Sequence, residues 1–154
     1  MKIGIADTTF ARVDMAAEAI DALRSATVEL SRYTVPGMKD LPAASVRLLR
    51  EQGCDLVIAL GWVGGKDIDE RCAHEANIGL IMAEVQEGKH ILKVFFHESE
   101  APGDERRQAE IALDRARKHA LNALLLRDGT GLTPFAGQGR RQGYADAGAI
   151  EVRP

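Results

Sequence analysis

The sequence predicts an α/β fold, a three-layer αβα sandwich around a four-stranded parallel sheet of order 2-1-3-4. Three observations carry this. Short apolar, β-branched runs alternate four times with segments of helical length and composition, the pattern of consecutive βα units. The run Leu56-Val57-Ile58-Ala59-Leu60 is apolar without alternation, as a central strand buried on both faces requires. Finally, 154 residues with 45% hydrophobic and 28% charged content suit one soluble domain.

The elements follow in order. Strands are predicted over 2–6, 28–35, 55–61 and 90–97, and helices over 13–25, 41–52, 66–87 and 104–126. The 41–52 helix has a start signal: Asp40 stands at the N-cap position and Pro42 in the first turn. The 66–87 helix carries two apolar stripes, Ala73/Ala76/Leu80/Ala83 and Ile78/Ile81/Val85, so it is expected to be buried on two sides, the second against another copy of the chain. In the last helix Ala109, Ala112, Leu113, Ala116, Ala120, Ala123 and Leu124 form one stripe opposite a charged face. With four strands, the commonest doubly wound order is the flavodoxin-like one. Residues 1–127 then make a single α/β domain. Residues 128–154, with six glycines and no period, form a tail that docks on the domain or on a neighbouring subunit through Phe135 and Tyr144.

Composition narrows the function. A net charge of −3 and a pI near 5.8 leave no electrostatic footprint for nucleic acid. No apolar run approaches the ~20 residues that cross a bilayer, and the start MKIGIAD lacks a signal-peptide core. Cys54 and Cys72 form no CxxC pair and read as reduced thiols, so a cytoplasmic location is expected. The four histidines show no metal-ligand spacing, and His74-Glu75 lacks the second His of HExxH. Thr8-Thr9-Phe10-Ala11 contains no glycine, so the first turn is neither a P-loop nor a dinucleotide turn. Leu60-Gly61 stands where a receiver domain would have a phosphorylatable Asp.

In open α/β sheets ligands bind beyond the carboxyl ends of the strands. Four stretches meet there: 7–12, 35–39, 61–66 and 96–100. Phe10, Met38 and Trp62 offer flat or adaptable apolar surface, while Arg12, Lys39, Lys66, His97 and Glu98 offer hydrogen bonds and proton-transfer groups. This mixture suits a flat polar heterocycle better than a bare anion.

Those same stretches carry a resemblance. DTTFARVDMA (7–16), TVPGMKDLPAA (34–44), GCDLVIALG (53–61), CAHEA (72–76), VFFHESEA (94–101) and GQGRRQGYADAG (137–148) resemble archaeal-type riboflavin synthase over nearly the whole chain. That family is similar to lumazine synthase, with which it shares the VPG…LP motif, a lumazine synthase-like form of the flavodoxin-like fold, and a pentameric ring. GWVGGKDIDE (61–70) lacks the Arg-Gly-x-Thr-x-His pattern with which lumazine synthase handles a phosphate-bearing substrate.

The resemblance implies a transferase reaction of riboflavin biosynthesis. Two 6,7-dimethyl-8-ribityllumazine molecules exchange a four-carbon unit, giving riboflavin and 5-amino-6-ribitylaminouracil. No redox cofactor is needed, since one substrate is donor and the other acceptor, and help from a divalent cation such as Mg²⁺ stays open. It further implies His97, Glu98 and Lys66 as acid–base groups. Thr9, Phe10, Arg12, Val35, Pro36, Gly37, Met38, Lys39, Gly61, Trp62 and Val63 are the implied substrate contacts, with Phe10 and Trp62 against the rings. Two ribityllumazines per site suit a position between subunits of a homo-oligomer, a pentamer or a dimer of pentamers. The alternatives are lumazine synthase and a non-catalytic flavin- or lumazine-binding protein.

Overall fold

The computed structural model describes residues 1–152; the last two residues of the 128–154 tail, Arg153 and Pro154, lie outside the described residues. Four strands and four long helices alternate: β1 (Lys2–Thr8), α1 (Met15–Leu23), β2 (Glu29–Val35), α2 (Leu41–Arg50), β3 (Leu56–Val63), α3 (Asp67–Glu87), β4 (Ile91–His97) and α4 (Glu105–Leu125). All pairings are parallel and the order is β2-β1-β3-β4, the predicted arrangement. Strand alternation sorts the core into two layers. Ile3, Ile5, Ile58, Leu60, Trp62, Val94 and Phe96 face α1 and α4, whereas Ala6, Val57, Ala59, Val63 and Phe95 face α2 and α3.

Three details depart from the sequence reading. First, β3 continues two residues beyond Gly61, because Trp62 and Val63 stay in register with Phe96 and His97 of β4. Second, Asp40 accepts no capping hydrogen bond; a short 3-10 turn (Met38–Asp40) feeds α2 instead, and its Asp40 N–H donates to the Gly37 carbonyl at 3.1 Å. Third, the buried stripe of α4 runs through Gln108 and Ile111 rather than Ala109 and Leu113. Gln108 is admitted because its amide Nε2 donates to the Ala101 carbonyl at 3.0 Å.

The two stripes of α3 separate cleanly. Ala73, Ala76, Leu80 and Ala83 are buried against the sheet and α2. Ile78, Ile81, Met82 and Val85 are between 46% and 76% exposed, leaving a continuous apolar strip on the outside of the chain.

Candidate functional site

The carboxyl ends of all four strands open on one rim, and two clusters form there. The first is an apolar seat of about 190 Å³ lined by Phe10, Gly37, Met38, Lys39, Asp40, Asp69 and Cys72. Phe10 ends the turn after β1 and is 51% exposed, a large aromatic face left in the open. Thr9 holds this turn against the next one. Its N–H donates to the Val35 carbonyl at 2.9 Å and its hydroxyl to the Pro36 carbonyl at 3.4 Å. Val35 is buried beneath the seat, so it supports the loop rather than lining it. A Cβ added at Gly37 would meet nothing within 4 Å, so no neighbour in the chain demands glycine there, and the backbone is accessible from the seat. The Lys39 ammonium is paired with Glu75 at 2.8 Å.

The second cluster sits at the end of β4. His97 Nδ1 lies 2.8 Å from Glu70 Oε2, and the Ser99 hydroxyl donates to Glu70 Oε1 at 3.2 Å. An ionised carboxylate only accepts, so Nδ1 carries the proton and Nε2 of the neutral ring is the free basic nitrogen. Glu70 comes from the first turn of α3, where a carboxylate also complements the helix dipole. Beside it, Glu98 Oε1 accepts from the Trp62 indole N–H at 2.9 Å. A Cβ at Gly65 would stand 3.2 Å from Glu98 Oε2, so glycine there keeps that oxygen uncrowded. Lys66 is exposed immediately before α3, and its backbone N–H donates to Asp69 Oδ2 at 3.1 Å.

Glu100 closes the same turn. Burial opposes its ionisation, but the Arg115 side chain, the His97 N–H and the Tyr144 hydroxyl outweigh that cost and hold the carboxyl at about 2.

The implied contacts therefore divide. Phe10, Gly37, Met38 and Lys39 come together at the seat, while His97 and Glu98 share the β4 cluster. Thr9 and Arg12 turn toward a different cavity of about 300 Å³, with Asp7, Arg32 and Thr34. The Arg12 guanidinium is tied to Glu105 at 2.8 Å, and that pair lines a neighbouring cavity of about 210 Å³.

Gly61, Trp62 and Val63 are corrections. The expected open loop is the end of a fully buried strand; of the three only Trp62 borders a cavity, one of about 210 Å³ with Arg12 and Glu105. Trp62 is 2% exposed and packs on Phe96 with ring centroids 4.6 Å apart; what it offers the rim is its N–H on Glu98, not a stacking surface. Gly61 is required because a Cβ would lie 2.7 Å from the Phe95 ring. Sequence reasoning missed Glu70, Ser99, Asp69 and Cys72. CAHEA carries a likeness but no chemistry of its own, and nothing local marks the acids in the first turn of α3 as site partners.

Residues 1–128 match the family described as 6,7-dimethyl-8-ribityllumazine synthase. A riboflavin synthase of Archaeoglobus fulgidus is 48% identical over 97% of this chain and 99% of its own length. One from Aeropyrum pernix is 51% identical over 97% of each chain. One from Methanothermobacter thermautotrophicus is 47% identical over 97% of this chain and 99% of its own. With a family match over most of its length and relatives so similar from end to end, this chain belongs to the 6,7-dimethyl-8-ribityllumazine synthase family.

Proposed function

We propose that the chain is a riboflavin synthase, converting two 6,7-dimethyl-8-ribityllumazine molecules into riboflavin and 5-amino-6-ribitylaminouracil. The observation that carries this is the near-complete, 45–51% identity to curated riboflavin synthases. One lumazine stacks on Phe10, with the Pro36–Lys39 turn along its edge. His97 Nε2 removes a proton from the acidic C7 methyl group, and the resulting carbanion adds to the second lumazine. The same nitrogen returns protons as the adduct fragments, and Glu98 with the Lys66 ammonium takes ribityl hydroxyls or the departing diamine. The dismutation balances without an external oxidant, so no redox cofactor enters. Holding two rings in register can be worth roughly 7–11 kcal/mol of barrier, with general acid–base help of order 10²–10⁴-fold on top.

The seat supports a site between copies. Its 190 Å³ falls below the roughly 300–1,000 Å³ of pockets that enclose a ligand, so one chain gives one wall. The apolar strip of Ile78, Ile81, Met82 and Val85 is then the contact that brings a second copy alongside, in a ring of five or a pair of such rings. The substrates and products are polar metabolites, and the cytoplasm is their proposed compartment.

The match of residues 1–128 favours a second reading, lumazine synthase itself. Incubation with the lumazine alone separates them. Riboflavin fluorescence with one equivalent of ribitylaminouracil is expected. Bound but unconverted lumazine would leave a binding protein, and turnover only of ribitylaminouracil with a phosphorylated four-carbon ketone would establish the second reading.

A further inference from the structure

Residues 142–144 of the tail lie along α4 and are fastened at four points. The Arg115 Nε donates to the Gln142 carbonyl at 3.2 Å and the Gly143 N–H to Asp114 Oδ2 at 2.9 Å. The Lys118 ammonium donates to the Tyr144 carbonyl at 2.8 Å, and the Tyr144 hydroxyl to Glu100 Oε1 at 2.9 Å. Only the last of these reaches the rim. Glu100 is the hub: it also accepts from both Arg115 nitrogens, Nη1 at 2.6 Å and Nη2 at 2.7 Å, and from the His97 backbone N–H at 3.0 Å. A carboxylate has about four acceptor sites, and here four donors fill them. The Arg115 fork is anchored in turn on the Phe95 carbonyl at 3.0 Å.

We infer that Tyr144 is a positioning residue for the reacting group on His97, acting from the tail through Glu100. This rests on the proposed role of His97. The hydroxyl fixes how Glu100 is rotated, Glu100 caps the turn at the His97 N–H, and that backbone aims the imidazole across Glu70. Tyr144 touches neither the seat nor His97 itself. With the hydroxyl gone, Oε1 keeps only the Arg115 Nη2 donor, the carboxylate pivots about the guanidinium, and Oε2 holds the His97 amide less firmly in one place. Misplacement of a reacting group lowers the rate without weakening ground-state binding.

The test pairs two variants of the full-length chain. Tyr144→Phe keeps the ring beside the guanidinium groups of Arg107 and Arg115 and removes the hydroxyl that bonds Glu100. Lys118→Met removes a different tail anchor and leaves Glu100 untouched. Tyr144→Phe is expected to lower kcat for riboflavin formation about tenfold with KM within about twofold, and to speed hydrogen exchange at the His97 amide. Lys118→Met is expected to lower the melting temperature while leaving kcat and that amide unchanged. Equal kcat losses in both variants, or a Tyr144→Phe effect confined to melting temperature, would overturn the inference. So would an unchanged His97 amide. Glu100→Gln, which keeps the shape of the hub, should reproduce the tyrosine phenotype. If the parent protein forms no riboflavin, the functional reading fails, whereas amide exchange still decides the mechanical link.

Discussion

Replacing Glu70 by Gln tests the proton-transfer assignment most directly. The carboxylate accepts from His97 Nδ1 at 2.8 Å and from the Ser99 hydroxyl at 3.2 Å. A glutamine keeps an acceptor in that place but removes the charge that selects the Nδ1–H tautomer and stabilises the imidazolium formed when Nε2 takes a proton. Hydrogen bonds to charged groups contribute about 1.5–3 kcal/mol, or about 10- to 150-fold in rate. His97 and Glu70 side chains are 31% and 43% exposed, so solvent screening puts the effect at the low end. Glu70→Gln should therefore lower kcat about 10- to 30-fold, with KM for the lumazine little changed. The assay is continuous riboflavin fluorescence at saturating lumazine, run on Glu70→Gln, His97→Ala and the double variant. Because Glu70 acts only through His97, the double variant should be no slower than His97→Ala. Two independent losses that multiply, or full activity in Glu70→Gln, would refute the dyad.

Three further outcomes follow from other parts of the molecule. Phe10→Ala removes the exposed ring of the seat and should raise KM about 3- to 10-fold, the value of one aromatic stack; an unchanged KM in steady-state kinetics would remove Phe10 from the site. Ile81→Glu combined with Val85→Glu places charge on the apolar strip of α3, and sedimentation velocity should show smaller species with reduced activity, whereas an unaltered assembly would put the contact elsewhere. Acid stability should fall in two stages. Burial, with the nearby Arg115 charge, lowers His119 from 6.5 to about 4, so its neutral form stabilises the fold fully above pH 6.5 and that contribution is lost on the way down to 4. Glu100, held at about 2 against an ordinary 4.5, contributes fully above 4.5 and loses its share between 4.5 and 2. His119→Leu should abolish the upper stage in urea titrations, since Nδ1 has no partner among the described residues; persistence of that stage would locate it in another group.

The fold was legible because its determinants are periodic and local. Strand-to-strand burial of Leu56–Leu60 and the twin stripes of α3 are written in residue spacing, and the structure repeats them. Asp40 shows the limit of such reading: its identity suits an N-cap, but the 3-10 turn before it supplies a different entry to the helix. Trp62 shows another. A tryptophan after a strand reads as an exposed platform only if the strand has ended, and β4 keeps β3 paired through Val63, with Trp62 opposite Phe96. The site partners were illegible for a different reason. Glu70 meets His97 across 27 positions and Tyr144 meets Glu100 across 44, and no local pattern distinguishes those carboxylates from the other surface acids.

The Val35–Asp40 turn gains most from the structure, because its charge decides which ligands it can take. Backbone donors near a helix start would suit a phosphate. Here the turn is joined by the carboxylates of Asp40 and Asp69, and the one cation among the seat-lining residues, Lys39, is spent on Glu75. A doubly charged phosphate would meet two like charges within the same small volume and, among the described residues that line it, no free cation to offset them. An uncharged pteridine-like ring meets instead the Phe10 face, the Met38 side chain and an open Gly37 backbone, with carboxylates at the edge able to accept from ring N–H groups or ribityl hydroxyls. The seat thus suits an uncharged heterocycle rather than a phosphate, as a loop that holds the ring of a lumazine requires.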